Sequence, residues 1–259
     1  MRVALTGGAT GIGAKVAARL KQDGCDVTAF DIHEPEANVD LWIKTDLSDP
    51  VSISAALDCV GGPFDALINN AGLPPRDGLG ELILNVNFIG FRQFLLGMLD
   101  KMAAGGSIVN TASRAGAMWR ENIDEVKALM ALESSGELSA FVAERQIDHV
   151  RAYNLSKEAV IVQTMAMTEA LIARDLRVNS VSPAAVSTGI LDDFVSAFGA
   201  RVAKNIARAG RAGTPEEVAD VIAFLVSPDS RWLKGVDIVI DGGMGAMAQS
   251  DMLGLSGVA

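Results

Sequence analysis

The sequence predicts an α/β protein built on a doubly wound parallel sheet with helices on both faces. Three observations predict it. Short β-branched runs alternate with longer helical stretches along the whole chain. The runs are nearly continuous in apolar residues, as strands buried on both faces must be. A glycine-rich turn, Thr6-Gly7-Gly8-Ala9-Thr10-Gly11-Ile12-Gly13, joins the first strand to the first helix. A length of 259 residues with 49% hydrophobic content suits one domain, 1–259, with a single large core.

Strands are predicted at 2–6, 26–30, 41–45, 64–68, 107–111, 176–181 and 237–240. Helices are predicted at 12–22, 51–60, 82–102, 152–173 and 215–226, with Gly24 stopping the first and Gly105-Gly106 breaking the third. Residues 117–151 interrupt the rhythm. They carry helical spacing, Ile123/Val126/Met130 and Leu138/Phe141/Val142, and many charges. Two amphipathic helices inserted between a strand and a helix explain them.

Composition excludes several functions. With 22 basic and 32 acidic residues the net charge is −10, with no basic block, which argues against nucleic acid or an anionic membrane as partner. Two cysteines, Cys25 and Cys59, cannot form a disulfide framework, and two isolated histidines, His33 and His149, argue against a metal site. The chain opens directly into a strand, and no run reaches the roughly 18 uninterrupted apolar residues of a membrane span. The expectation is a soluble cytoplasmic protein.

The glycine turn is the first functional candidate. Gly7, Gly11 and Gly13 allow a sharp turn and close approach of backbone to a pyrophosphate. Thr10 and Ile12 lie where the helix N-terminus offers free N–H groups. Asp31 ends the second strand 18 residues after Gly13, close to the spacing of a carboxylate that binds adenosine ribose hydroxyls. Such a carboxylate repels a 2′-phosphate, and no Arg or Lys sits beside it, so NAD(H) is expected over NADP(H). Asp46-Leu47 follows the third strand. Asp46 there either contacts the adenine or caps the next helix.

Tyr153 and Lys157 stand four apart on a predicted helix and share one face. A phenol with a reference pKa of about 10 is a poor acid–base group at neutral pH, and a nearby ammonium lowers that value. With the turn, the run Asn69-Asn70-Ala71-Gly72, Asn87, Ser113 and the ending Asp241-Gly242-Gly243, the order resembles the short-chain dehydrogenase/reductase family over nearly the whole chain. The long interval between Ser113 and Tyr153 and the short loop after Gly72 resemble its bacterial 3α-hydroxysteroid dehydrogenase/carbonyl reductase branch.

The resemblance implies a Rossmann-type seven-stranded sheet and an alcohol–ketone oxidoreductase. Tyr153 would be the general acid or base. Lys157 would bind the nicotinamide ribose and depress the tyrosine pKa, Ser113 would stabilise the carbonyl oxygen, and Asn87 would hold a water in a proton path. Asn70 would be chiefly structural, and Ala71 and Gly72 would lie along the adenine ribose. After the sixth strand Pro183-Ala184 replaces the family's Pro-Gly, and Val186 and Thr188 would lie by the carboxamide. Residues 184–211 would form a lid. Its Ile190, Leu191, Phe194, Val195 and Phe198, with Met118 and Trp119 opposite, either line a ligand or pack as core. Its Arg201, Lys204 and Arg208 are spaced like a solvated helix face. The substrate expected is a hydrophobic, cyclic or aromatic secondary alcohol or its ketone, turned over by a homodimer or homotetramer to which the insertion contributes contacts. The alternatives are a 3-ketoacyl-type reductase and a non-enzymatic nicotinamide-sensing regulator.

Overall fold

The structure, a computed structural model, describes residues 1–255, so the last four positions of the expected domain lie outside the described residues. Seven parallel strands form the sheet: β1 (Arg2–Thr6), β2 (Asp26–Asp31), β3 (Leu41–Lys44), β4 (Phe64–Asn69), β5 (Met102–Thr111), β6 (Arg177–Pro183) and β7 (Asp237–Ile240). Their order is 3-2-1-4-5-6-7, so the winding reverses between β1 and β4. In open sheets a ligand crevice forms at the carboxyl ends of the strands where the order reverses.

Alternation along each strand makes two cores. Val3, Leu5, Val27, Ala66, Ile68, Val109 and Val181 face α1 (Gly11–Gln22) and α10 (Pro215–Val226). Ala4, Leu67, Ile108 and Val178 face α2 (Pro50–Asp58), α4 (Phe91–Met98) and α7 (His149–Ile172).

The structure departs from the sequence pattern in three places. The helix expected at 82–102 is present and unbroken from Gly80 to Lys101, but its hydrogen-bond type varies along it: α3 (Gly80–Leu84), a π-helical turn (Asn85–Gly90), α4 and a 3₁₀ turn (Leu99–Lys101). The cause is close packing: a Cβ on Gly90 would overlap the Leu47 carbonyl, and Asn87 turns inward onto the Leu73 backbone. The stretch Gly80–Lys101 is long and apolar enough to cross a membrane, but 67% of its most apolar window is buried, as in a core helix. Next, β5 starts at Met102. Gly105-Gly106 is an irregularity within the strand, where pairing jumps from Phe64–Met102 to Ala66–Ser107. Lastly, α11 (Met244–Met252) was not expected. Asp241 nucleates it by accepting the N–H groups of Gly243 (2.9 Å) and Gly245 (2.8 Å).

The insertion forms α5 (Ile123–Met130) and α6 (Leu138–Arg145). It is not a solvated flap, since Val126, Leu129, Leu138 and Phe141 join the main core. Leu129, rather than Ile123 or Met130, shares the deepest position with Val126. Arg92 of α4 donates to the carbonyls of Met130 (2.6 Å) and Leu132, placing a cation at the negative end of α5. The lid is pinched at its base by a bridge between Val186 and Gly213 and carries α8 (Leu191–Phe198) and α9 (Ala200–Ala209). The side chain of Arg201 lies outside the described residues; Arg208 pairs with Asp251 of α11 at 2.5 Å.

A buried polar chain joins the central strands to the long helix. Asn69 Nδ2 donates to Asn110 Oδ1 (2.9 Å), Asn110 Nδ2 to Thr164 Oγ1 (2.9 Å), and Thr164 Oγ1 to the Val160 carbonyl (2.8 Å). Asn110→Ala strands two buried partners and is expected to cost about 2 kcal/mol. The check is the urea midpoint at unchanged slope; an unshifted midpoint would remove the chain from the account of stability.

Candidate active site

The glycine turn sits at the carboxyl end of β1. Gly7 and Gly11 adopt φ of +71° and +56°, conformations that only glycine reaches without strain. A Cβ on Gly13 would overlap the Gly7 carbonyl and lie 2.7 Å from Asn70 Nδ2. Thr10, the N-cap of α1, makes no side-chain capping bond, and the first turn holds no acid. The N–H groups there and the positive end of the dipole suit an anion. This cradle, which a Cβ would fill, fits a dinucleotide pyrophosphate. Ile12 packs on the adjoining core.

Asp31 stands beside the turn. Its Oδ2 accepts the Ala9 N–H (2.9 Å) and its Oδ1 the His33 N–H (2.9 Å); among the described residues no cation bonds it, although Lys44 pairs opposite it in β3. Asn70 donates to the Gly7 carbonyl (3.1 Å), while the N–H groups of Asn70 and Ala71 donate to Thr6 Oγ1 (3.0 and 3.1 Å). Asp46 accepts from the Ser48 N–H and hydroxyl (2.8 and 2.7 Å). The cap of α2 is Asp49, whose Oδ1 accepts the Val51 N–H, so the capping alternative for Asp46 falls. Leu47 is buried, with its carbonyl against Gly90.

The reactive groups converge from β5 and α7. Tyr153 and Lys157 are each only 5% exposed, and Lys157 Nζ lies 5.8 Å from the tyrosine ring centre. Lys157 Nζ donates to the Thr111 carbonyl (2.9 Å). The Ser113 hydroxyl approaches the Pro183 carbonyl at 3.5 Å, accepts the Ala115 N–H at 3.1 Å, and lies near enough to the Tyr153 phenol to pull its pKa down. Burial pushes the phenol up to about 12, against a smaller downward pull from Ser113. Burial also pulls the Lys157 ammonium down to about 8. The lowering of the phenol by its lysine that the sequence leads one to expect is not seen: desolvation dominates, and the one downward pull comes from Ser113.

Asn87 lies in the π-helical turn, a device common at functional sites. Its Oδ1 accepts the Leu73 N–H (2.7 Å) and its Nδ2 donates to the Leu73 carbonyl (3.0 Å). It thereby fixes Gly72, where a Cβ would sit 3.2 Å from Asn87 Oδ1 and 3.5 Å from Lys157 Nζ. Ala184 keeps a negative φ and follows the turn after Pro183 without strain, donating to the Ile240 carbonyl (3.0 Å). Val186 is buried at the lid base, and the Thr188 methyl reaches over Gly11. The lid closes on the tyrosine: Phe194 meets its ring edge-on at 5.3 Å and Phe198 at 6.5 Å. Trp119 packs partly against the core beneath Arg120, and Met118 is 54% exposed.

These residues stand in one frame with known enzymes. A family model described as enoyl-(acyl carrier protein) reductase matches residues 7–245. The chain is 33% identical over 245 residues to a coniferyl-alcohol dehydrogenase of Pseudomonas sp. (strain HR199 / DSM 7063), covering 94% of this chain and 96% of that one. The chain belongs to the short-chain dehydrogenase/reductase family. It is also 28% identical over 253 residues to a 3-alpha-hydroxysteroid dehydrogenase/carbonyl reductase of Comamonas testosteroni, covering 95% and 96% of the two chains. The solved 3-alpha-hydroxysteroid dehydrogenase of Pseudomonas sp. B-0831, complexed with NADH, superposes with a TM-score of 0.83 at 30% identity, over 96% of this chain and 99% of that one. As a short-chain dehydrogenase/reductase, the protein is an oxidoreductase acting on alcohol groups.

Sequence reasoning missed three parts of this site. Arg114, next to Ser113, pairs with Asp241 at 3.3 Å and ties the serine loop to the C-terminal segment. Arg76 grips Asp193 of α8 with two bonds (3.1 and 3.0 Å), linking the loop after β4 to the lid. Glu158 beside Lys157 is bonded by Arg151 and Asn122. Each partner lies far away in sequence or on an apparently solvated face, so spacing alone carries no signal for it.

The buried lysine predicts a conflict between stability and activity. Folded Lys157 is charged only below about pH 8, whereas an unfolded lysine stays charged up to about 10.4. The fold therefore bears the full penalty below pH 8 and loses it as pH rises to 10.4. Lys157→Met should stabilise the protein by about 2 kcal/mol at pH 7, with the gain vanishing above pH 10.4, and should abolish turnover. Denaturation curves at several pH values check the first part, and a pH-independent difference would contradict it.

Proposed function

We propose that the protein is an NAD(H)-dependent oxidoreductase that interconverts a hydrophobic, cyclic or aromatic secondary alcohol and its ketone. The observation that carries this reading is the burial of Tyr153 and Lys157 side by side, with Ser113 next to the phenol, beneath an aromatic lid and next to the glycine cradle. The relatives named for coniferyl alcohol and 3α-hydroxysteroids support the substrate class, and the NADH complex of the structural relative supports the cofactor.

The residues divide the chemistry. NAD(H), when bound, supplies or accepts the hydride. The glycine turn and the N-terminus of α1 would hold its pyrophosphate, Asp31 its adenosine ribose, and Lys157 its nicotinamide ribose. Asp46, Leu47, Ala71 and Gly72 border the adenosine half, and Pro183, Val186 and Thr188 the carboxamide. Tyr153 Oη gives its proton to the substrate oxygen in ketone reduction and takes it in alcohol oxidation. A phenol pushed up to about 12 is protonated at neutral pH, the form that reduction needs. Ser113 Oγ donates to the oxygen as charge develops there. Lys157, titrating near 8, can pass a proton onward, and Asn87 orders the Gly72–Leu73 segment beside it. Phe194 and Phe198 exclude water and offer ring faces to an apolar substrate.

An acyl reductase reading is weakened by the carboxylate of Asp31, which no basic side chain bonds among the described residues although Lys44 stands opposite it in β3, and a sensor reading by the retention of Tyr153, Lys157, Ser113 and Asn87. The insertion covers the outer face of α7 within its own chain, and we assign it subunit contacts through its remaining surface in a homodimer or homotetramer.

Two predictions follow from the residue roles. Tyr153→Phe should lower kcat by about a thousandfold while leaving NADH binding intact. A panel of coniferyl alcohol, cyclohexanol and a 3α-hydroxysteroid, each with NAD and NADP, tests the reading, and no turnover of any member would overturn the substrate class. Asp31→Asn keeps an acceptor for the Ala9 N–H but removes the charge. It should reduce the preference for NAD over NADP by about 100-fold. Equal preference in the unmutated enzyme would refute the charge argument.

A further inference from the structure

Glu158 follows Lys157 on α7, is 1% exposed, and takes no part in the chemistry described. Three donors satisfy it. Asn122 Nδ2 reaches its Oε1 at 2.7 Å, and Arg151 Nη1 and Nη2 reach Oε1 and Oε2 at 3.0 and 2.7 Å. Arg151 also donates through Nε and Nη2 to Glu125 Oε2 at 2.8 and 2.6 Å. Burial pulls the Arg151 guanidinium down, but Glu158 and Glu125 hold it above its ordinary value. Asn122 and Glu125 both belong to the insertion. Asn122 is the N-cap of α5, yet its side chain makes no capping bond and is spent on Glu158 instead.

The connectivity gives this cluster a consequence. Asn122 ends the segment that begins at Ser113. That segment also presses on α7 one residue earlier, where a Cβ on Gly116 would lie 2.8 Å from the Lys157 carbonyl oxygen. The serine loop is thereby held along α7 at two places, Gly116 on Lys157 and Asn122 on Glu158, and this sets Ser113 beside Tyr153, whose pKa it pulls down.

We propose that the insertion belongs to the catalytic apparatus, with Asn122 and Glu125 acting through Glu158 and Arg151 as positioning residues that hold Ser113 against Tyr153. The proposal rests on Tyr153 being the acid–base group. The groups facing Tyr153 are Lys157 from its own helix, Ser113 from the β5 loop, and Phe194 and Phe198 from α8. Of the α8 acids, Asp193 is paired with Arg76 and Asp192 is exposed. Ser113 pulls the phenol pKa down, so slackening these contacts must let it rise.

Tyr153 is the single tyrosine of the chain, so one ¹³C-labelled tyrosine resonance reports it alone. Asn122→Ala, Asn122→Asp and Glu125→Gln are made in the full chain. The resonance should move in all three, and its titration should shift to higher pH. The kcat for the best alcohol of the panel should fall about tenfold in Asn122→Ala and further in Asn122→Asp, where two carboxylates oppose each other. The KM for NAD should stay within about twofold, since the glycine cradle is untouched. A lowered Tm with an unchanged resonance and unchanged kcat would reduce the cluster to a structural brace and overturn the proposal. If no alcohol is turned over by the unmutated protein, the functional reading fails by itself; the resonance then decides the positioning claim, a shift supporting it and no shift overturning it. Should Asn122→Asp fail to fold, Asn122→Ala and the half-buried Glu125→Gln carry the same test.

Discussion

The reactive end of the molecule depends on one constraint: a phenol and an ammonium buried one helical turn apart. Each is disfavoured in its charged form by burial, so the protein must hold both without water. The surroundings meet that demand with a few directed bonds. Lys157 is given the Thr111 carbonyl and Tyr153 the Ser113 hydroxyl. The lid rings then exclude solvent, and in that low dielectric the pull of the Ser113 hydroxyl on the phenol gains strength. A looser site would relieve the lysine but would also return the phenol to water, where the serine hydroxyl counts for less.

The strand order explains why residues so distant in sequence meet. The glycine turn leaves β1, Asn70–Gly72 leaves β4, Ser113 leaves β5 and Pro183 leaves β6, all at the same edge of four neighbouring strands. The buried chain Asn69–Asn110–Thr164 then locks β4 and β5 to α7. The loop after β5 and the helix α7 are thus fixed twice, once from beneath by this chain and once from the side by Asn122 and Glu158. The lid is joined to the same frame by ion pairs at α8 and α9, but these are exposed and individually weak. Rigid catalytic groups and a lightly held cover are what an enzyme needs if a bulky substrate must enter and leave.

Residues whose meaning is local were legible in the sequence. Glycines with positive φ, the Tyr-Lys spacing on one helix face, and strands of continuous apolar residues all follow from geometry within a few positions. What could not be read depends on contacts closed by the fold. The π-helical turn within the helix at 82–102 lies where Leu47 packs on Gly90 and Asn87 bonds Leu73. Neither partner is marked in the helical pattern. Helix α11 has little amphipathic signal and forms because Asp241 caps it. Asp46 and Asp49 both read as candidate caps; in the fold Asp46 caps the turn at Ser48 and Asp49 caps α2. The pattern 117–151 was legible as two helices, but its burial against α4 and α7 was not, because its charges, Glu125 and Arg151 among them, read as solvated surface and in fact pair inward.

Asp31 shows how closely stability and recognition are bound together at this site. Its carboxylate accepts an N–H from the phosphate turn and another from the start of the following loop. The same group that would discriminate against a 2′-phosphate thus shapes the turn that holds the pyrophosphate. Carboxylate oxygens have several lone-pair directions, so Asp31 can serve the backbone and still accept from ribose hydroxyls. A basic residue at position 31 would have to give up the Ala9 bond before it could meet a phosphate. On the proposed role of Asp31, selectivity for the unphosphorylated dinucleotide would be built into the first crossover of the sheet, and a change of cofactor would require reshaping the turn as well as exchanging a charge.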